Sequence, residues 1–346
     1  MKSKSLPIHK NPGLSTECYH NCRLSIVKSQ ERLWPWIHSH FTNLKILIEN
    51  PLQFPMVRLE EHLEIYSELL IEQRLIKSSS WVESIKNSIN SDQYILVFLN
   101  WRHIRGSTYF NGTKDMIHEA LLYGFNEDEK MFLGLGFDVN GKTFGEFKLP
   151  FNECHKHIEN IIQNHLHHKR WFAHYGFPIS SLQLNPHYNP RLDTTTLFFA
   201  LDRSKAISKD VSAKGAFANG FYVYYFLFLY FQKLGQAFFL PESEYALWNI
   251  NIYKMIQHKK LSIDMMKFMS REYPNHTVLK RLIDFQCNTK KELLKLRSLS
   301  LKYQTMQQGK IIQEISQGFS RIYEIEKRIN AMFKDYLVQQ KMDKFS

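Results

Sequence analysis

Residues 116–138, MIHEALLYGFNEDEKMFLGLGFD, decide the fold of the first half of the chain. Two apolar runs at 116–125 and 131–138 flank a polar segment at 126–130, which reads Asn-Glu-Asp-Glu-Lys. Short apolar runs separated by a few polar turn residues are typical of two antiparallel strands joined by a tight loop. The sequence therefore predicts a β-hairpin.

The length of the loop decides which side chains face each other across this hairpin. If all five polar residues form the loop, Phe125 pairs with Met131 and His118 lies opposite Asp138, with the Cβ atoms about 5 Å apart. A four-residue loop puts His118 opposite Phe137 instead, unless a bulge restores the register. The hairpin therefore permits a His–Asp pair without requiring it.

The elements around the hairpin predict helices first and an antiparallel sheet after them. A short, continuously apolar run at 94–99 is typical of a buried strand, and 143–148 continues the sheet. The order predicts an α+β domain, to which we assign residues 1–170. Its predicted helices are one capped by Ser15 or Thr16 and ending near Ser29, one over 57–77, one over 81–89, and one from Pro150 to about His168.

Residues 171–346 are predicted to form a mainly α-helical domain. The stretch 176–196 contains three prolines and is expected to connect the two domains. The clearest predicted helix runs over 303–340, along one apolar stripe. The aromatic run at 221–231 is shorter than the roughly 20 apolar residues that cross a membrane, so we expect it to be a buried core element.

The composition favours a folded, cytoplasmic protein that meets acidic partners. The hydrophobic content is 44%, and 45 basic against 33 acidic residues give a formal net charge of +12. The basic residues are spread along the chain rather than gathered in an arm, so nucleic-acid binding is not expected. The first residues, MKSKSLPIHKNPG, lack the apolar segment of a secretory signal, and the four cysteines do not form a disulfide framework. A reducing, cytoplasmic location is therefore expected.

Two local patterns are set aside as cofactor sites. The histidine-rich stretch 154–174 places His165 and His168 one helical turn apart, but completes no recognised zinc spacing. Gly134 and Gly136 lack the remaining glycine of a dinucleotide-binding fingerprint. We expect neither a metal nor a cofactor.

Cys18 is the candidate nucleophile. If Ser15 or Thr16 caps the first helix, Cys18 lies in the first turn, where unpaired N–H groups and the positive end of the helix dipole stabilise a thiolate. Cys22 lies one turn further along, where this effect has faded, and is assigned to packing. Glu17 acts in the opposite direction, because an acidic neighbour raises the pKa of a thiol.

Cys18, His118 and Asp138 follow one another in the chain order of papain-like thiol catalysis. A thiol nucleophile needs a base beside it, and that base needs a third group to orient it. Each residue alone also has an ordinary structural explanation, as a buried thiol, a histidine on an edge strand and a turn residue. Their order, and their placement on a helix and a hairpin, favour the catalytic interpretation.

Two short stretches resemble one protein family. CYHNCRL at 18–24 and IHEALLYGF at 117–125 are similar to the motifs of the butirosin biosynthesis protein H N-terminal family. Asp138 lies where that family has an aspartate closing the return strand. The resemblance covers roughly residues 10–160, and the chain departs from the family at Glu17, where the family often has histidine.

The resemblance implies a papain-like N-terminal domain and a cysteine acyltransferase of natural-product biosynthesis, of the nonribosomal-peptide and antibiotic type. Such a protein takes an acyl group from the thioester of an acyl or peptidyl carrier protein and passes it to an amine of a small molecule or peptide. Carried over by position, Cys18 would be acylated, His118 would be the base and Asp138 would orient it. Asn21 would support the turn that carries the nucleophile.

Two other functions stay open at this point. The same residues would serve a papain-like thiol peptidase or amidohydrolase. A non-catalytic accessory protein would keep the fold and bind a carrier protein or a peptide. A homodimer is also left open, membrane binding is not expected, and the sequence identifies neither the acyl donor nor the acceptor.

Overall fold

The computed structural model divides the chain into two compact units. One is formed by residues 1–34 with 63–190, and the other by 35–62 with 191–346. Each combines helices with an antiparallel sheet, and the C-terminal region is helical, so the predicted α+β class is confirmed. The predicted domain border near residue 170 lies outside the described residues. The structure describes residues 3–14, 16–49, 54–75, 78–164, 178–206, 210–237, 245–273 and 276–342.

An antiparallel sheet forms the centre of the first unit. Its strands, numbered along the chain, are β1 (Ser3–Ser5), β4 (Leu70–Arg74), β5 (Tyr94–Asn100), β6 (Ile117–Asn126), β7 (Met131–Val139), β8 (Lys142–Pro150) and β9 (Ile179–Leu184). Their order is β4-β9-β5-β6-β7-β8, and β1 pairs with β6. Every residue of β5 is buried, which explains the unbroken apolar run that predicted this strand.

Three helices pack on this sheet: α1 (Cys18–Lys28), α3 (Trp81–Asn90) and α4 (Phe151–Asn164). The α3 helix begins where predicted, because the Ser80 side chain accepts a hydrogen bond from the Glu83 N–H and caps the first turn. The helix predicted after Pro150 is confirmed as far as the end of α4, and its expected continuation lies outside the described residues.

The hairpin of β6 and β7 is confirmed, but its loop and its register next to the loop differ from the five-residue prediction. Its loop has four residues rather than five. A bulge at Tyr123 then shifts the pairing by one residue, so that Ala120 pairs with Gly136. The described pairing of the two strands ends at Ala120 and Gly136, and beyond it Val139 bridges to Ser107, so the pairing of His118 with Asp138 stays a prediction.

The helix predicted over 57–77 is wrong. The described residues of this stretch form β3 (Met56–Leu59), a 3-10 helix (Leu63–Glu68) and β4. β3 pairs with β2 (Leu44–Leu47), and β4 pairs with β9. Hydrogen bonds to strands distant in sequence therefore outweigh the local helical spacing of the apolar residues.

Part of the predicted connecting region is also a strand. β9 lies within 176–196 and inserts between β4 and β5. Its two serines, Ser180 and Ser181, weaken the strand pattern in the sequence, yet both are buried between the flanking strands.

The second unit combines a small sheet with long helices. β10 (Phe217–Asn219) joins β2 and β3 in the order β10-β2-β3. Leu197, Met266, Leu279 and Phe333 belong to its buried core. The helices are α2 (Trp34–Ser39, of which all but Trp34 belongs here), α5 (Thr194–Asp202), α6 (Tyr222–Ala237), α7 (Tyr245–Glu272), α8 (His276–Met306) and α9 (Gly309–Met342).

The aromatic run 221–231 falls almost entirely in α6, where most of its side chains are buried, as predicted. Among the described residues, no helix has both the length and the apolar character needed to cross a membrane. The single helix predicted over 303–340 is wrong at its start. The helix is interrupted between α8 and α9, because Gln307 adopts a left-handed backbone conformation with φ of 50°.

Gly136 gives a test of the packing beneath the hairpin. A Cβ atom there would collide with the indole of Trp101, which is fully buried and donates a hydrogen bond to the His118 carbonyl. We expect Gly136→Ala to lower the free energy of unfolding in urea by about 1–3 kcal/mol. Gly309→Ala is the matched control, since a Cβ there meets nothing within 4 Å. Equal unfolding free energies for the two variants would contradict this packing.

Candidate functional site

Helix α1 begins at Cys18, as the catalytic interpretation requires, but it is not capped as predicted. The N-cap residue is Glu17, with φ −122° and ψ 74°, and its side chain makes no capping hydrogen bond. Thr16 precedes the cap, and Ser15 lies outside the described residues. The side chain of Cys18 also lies outside them, so the structure describes its backbone position at the positive end of the helix dipole and no more.

Polar residues fill the first turns of α1 although the helix is buried there. Glu17, His20 and Asn21 are 2%, 0% and 0% exposed. His20 Nδ1 lies 3.1 Å from the Tyr66 hydroxyl, which ties α1 to the 3-10 helix that follows β3. Within the described part of the chain, both polar atoms of the Asn21 side chain are buried without a hydrogen-bond partner. The supporting role predicted for Asn21 stays a prediction.

A cluster of three charges joins α1 to the sheet, and two of them, Arg23 and Glu119, are buried. Arg23 Nη2 lies 3.1 Å from Glu72 Oε2 on β4, and Arg23 Nη1 lies 3.8 Å from Glu119 Oε2 on β6. Burial raises the pKa of Glu119 to about 7, although the Arg23 guanidinium acts in the opposite direction. These contacts hold α1 against the strand that carries His118.

This cluster was missed in the sequence, although one signal was available. Glu119 interrupts an otherwise apolar strand, and a charged residue in a buried strand needs a partner. The identity of that partner depends on the fold, because Arg23 is distant in sequence.

His118 is held at the start of β6. It pairs with Leu99 of β5, and its ring stacks on Phe137 at 4.8 Å with an interplanar angle of 20°. Its Nδ1 accepts a hydrogen bond of 3.0 Å from the Glu119 N–H. Burial lowers the pKa of His118 to about 4, so the imidazole is neutral at pH 7. In this arrangement the proton of the neutral ring resides on Nε2.

Asp138 lies near the end of β7 in a left-handed conformation, with φ of 47°. Its main-chain carbonyl accepts a hydrogen bond of 3.1 Å from the Thr108 N–H. The structure thus brings His118 and Asp138 onto neighbouring strands. The ring contact described for His118 is with Phe137, which precedes Asp138.

Helix geometry gives the separation along α1 between Cys18 and Arg23, the residue that contacts the sheet. Arg23 touches Glu119, the residue after His118, and Cys18 is five residues earlier on α1. At 1.5 Å per residue, the helix start lies about 7.5 Å along the axis from Arg23. Because α1 packs on both β6 and β7, the start of the helix lies against the pair of strands that carries His118 and Asp138.

The structure describes the histidine-rich stretch only as far as residue 164. Within the described part of the chain, no three His, Cys, Asp or Glu side chains are grouped so that they would hold a metal ion. Burial raises the pKa of the Cys154 thiol well above its usual range, so that thiol is a packing residue. His165, His168 and the end of the histidine-rich stretch lie outside the described residues.

A scan against protein-family models and a search of the curated proteins found no match to this chain. The evidence for a function is therefore the arrangement of the site residues and the two short motifs at 18–24 and 117–125.

The neutral state of His118 gives a test of this geometry. We expect its ring resonances, measured by NMR, to titrate near pH 4 in the folded protein, because burial disfavours the imidazolium. An unfolded histidine titrates near 6.5. The folded state should therefore lose stability as the pH falls from 6.5 to 4, and His118→Gln should make this loss smaller; His157 and His258, whose pKa values burial also lowers, keep their share of it.

The exposed His187 provides the matched control for this titration. His187→Gln should leave the pH dependence of stability unchanged. A His118 titration near 6.5, or equal pH profiles for wild type and His118→Gln, would contradict the buried, neutral imidazole.

Proposed function

We propose that the chain is a papain-like cysteine acyltransferase. It transfers an acyl group from a carrier-protein thioester to an amine of a small natural product or peptide. The observation that supports this proposal is the packing of α1, which begins at Cys18, on β6 and β7, the neighbouring strands that carry His118 and Asp138.

In the first step of the proposed reaction, Cys18 Sγ attacks the carbonyl carbon of the thioester. The new bond joins Sγ to that carbon, and the bond from the carbon to the carrier thiol breaks. The proton of Cys18 passes to His118 and from there to the departing carrier thiolate. One thioester replaces another, so this step needs little driving force.

In the second step an amine attacks the acyl group on Cys18. A C–N bond forms, the C–S bond breaks, and His118 moves the surplus amine proton to the Cys18 thiolate. Asp138 is the group proposed to orient His118. An amide is more stable than a thioester, so the second step makes the overall transfer favourable.

The low pKa of His118 decides how the nucleophile is activated. A neutral imidazole with a pKa near 4 disfavours a resting thiolate–imidazolium pair, so the proton moves during the attack. Because the Glu119 N–H donates to Nδ1, the ring must give up that bond or change its tautomer to act as the base.

The charge of the chain suits the proposed donor. The formal net charge is +12, and an acidic carrier protein would be attracted to it over distances near the Debye length, about 8–10 Å at physiological salt. The encounter should therefore slow as the ionic strength rises.

A non-catalytic accessory protein that binds a carrier protein or peptide is the second candidate. The engagement of His118 Nδ1 by a main-chain N–H favours it, since that contact occupies the lone pair a base needs. A thiol peptidase or amidohydrolase would form the same acyl-enzyme and use water in place of the amine.

Acylation of Cys18 tests the proposal. We expect incubation with a small acyl thioester, such as the acetyl thioester of N-acetylcysteamine, to add one acetyl mass, located on Cys18 by peptide mapping. Cys18→Ala should lose the adduct. His118→Asn should slow its formation by about 10²–10⁴-fold, the range of a lost general base.

Cys22→Ala is the matched control, because Cys22 lies on the same helix and is fully buried. It should keep the adduct. An equal adduct on Cys18→Ala, or none on the wild type, would contradict catalysis and favour the accessory protein. If an added amine fails to compete with water for the acyl group, the hydrolase is correct and the transferase is wrong.

A further inference from the structure

The second unit contains a cavity of about 50 Å³. It lies between α6, α7, α8 and α9, and its inner wall includes Tyr224, His258, Lys259, Gln286 and Glu326. These five side chains are all buried. Half-buried residues form the rim toward solvent, namely His38, His40, Phe221, Leu261 and Asn330.

Four of the buried side chains present a polar atom without a hydrogen-bond partner in the described part of the chain. These are the Tyr224 hydroxyl, His258 Nδ1, Gln286 Oε1 and Glu326 Oε1. Leaving a buried polar atom unpaired is unfavourable, and buried polar groups in folded proteins are seldom left unpaired. Several of them around one cavity indicate a site built for a polar occupant.

Gln286 Oε1 is an amide oxygen and accepts hydrogen bonds. Two further atoms are acceptors. His258 Nε2 lies 3.0 Å from the Thr42 carbonyl, which only accepts, so Nε2 carries the proton. Burial lowers the pKa of His258 to about 3, so the ring is neutral and its Nδ1 accepts. Glu326 Oε1 is the second acceptor, because Oε2 of the same carboxylate is bound by Lys259.

Two other groups are donors. Burial raises the pKa of Tyr224 well above its usual value, so its O–H keeps the proton. The Lys259 ammonium has three N–H groups, of which one serves Glu326 at 2.5 Å. Its Nζ also lies 5.3 Å from the centre of the Tyr224 ring, so the two side chains that carry these donors are neighbours.

The charges that line the cavity are balanced. Lys259 and Glu326 are 2% and 7% exposed and neutralise each other, while His258 is neutral. A ligand with a net charge would leave one buried charge uncompensated, at a cost of several kcal/mol. A ligand without net charge avoids this cost.

We propose that this cavity binds a small zwitterion, an α-amino acid of the size of glycine or alanine. Its ammonium group donates to Glu326 Oε1 and His258 Nδ1, and its carboxylate accepts from the Tyr224 hydroxyl and the Lys259 ammonium. The cavity has room for roughly four waters, which matches a molecule of this size. This binding site goes beyond the acyl transfer proposed above and does not depend on it.

Calorimetric titration of the full-length protein tests the proposal with four probes. Glycine should bind with saturation, and methylammonium, acetate and acetamide should each bind at least tenfold more weakly. Methylammonium and acetate each carry one of the two charged groups of glycine, and acetamide has the size of glycine without the charges. Equal binding of any of the three would overturn the zwitterion, and no binding of glycine up to 10 mM would overturn the site.

Tyr224→Phe removes one donor and keeps the shape of the cavity. We expect it to weaken glycine binding about tenfold, the value of one hydrogen bond. Its thermal stability without ligand should be unchanged or higher, because the hydroxyl has no hydrogen-bond partner to lose among the described residues. Tyr230→Phe is the matched control, since Tyr230 is buried on the same helix and does not line the cavity. Equal affinities for glycine in the two variants would overturn the proposed contact.

The double variant Lys259→Met with Glu326→Gln removes both charges together, so neither is left unpaired. It should fold, as measured by circular dichroism, and should no longer bind glycine. Unchanged glycine binding in this variant would overturn the role of the ion pair.

Discussion

The position of helix α1 depends on one buried cation, the guanidinium of Arg23. Its side chain is only 4% exposed and is held by carboxylates from two different strands, Glu72 on β4 and Glu119 on β6. Removing one partner of a buried ion pair typically costs about 3–5 kcal/mol, because the other charge is left uncompensated. The cluster therefore fixes how α1 lies on the sheet. Since Cys18 begins that helix and His118 precedes Glu119 on β6, the same contact fixes the start of α1 relative to the strand that carries His118.

Each unit contains a buried ion pair, and the two differ in their surroundings. In the first unit the pair lies between a helix and a sheet, where burial raises the pKa of Glu119 to about 7. In the second unit the pair of Lys259 and Glu326 lines a cavity, among further polar atoms that lack partners within the described residues. An ion pair packed between a helix and a sheet fixes the position of the helix. An ion pair beside a cavity still has room to bind a ligand. This contrast is why we assign a positioning role to the first pair and a binding role to the second.

The sequence predicted the parts of the fold that depend on local patterns. The apolar runs of β5, β6 and β7 are long enough to identify strands, and the polar loop between the last two identifies the hairpin. The bulge at Tyr123 has no signal in the sequence, yet it decides the register near His118. β9 and the strands within 57–77 were missed because their partners are distant in the chain, so pairing rather than local spacing stabilises them. The cavity of the second unit was missed for the same reason, since its polar residues come from four helices.

The central claim is that Cys18 and His118 are close enough to exchange a proton, and disulfide trapping tests it most directly. A disulfide requires Cβ atoms about 3.5–4.5 Å apart. We predict that His118→Cys, oxidised under mild conditions and mapped by mass spectrometry, forms a bond between residue 18 and residue 118. The exposed Lys114→Cys should not form one. Free thiols at both positions in His118→Cys, under conditions that leave the protein folded, would contradict the account.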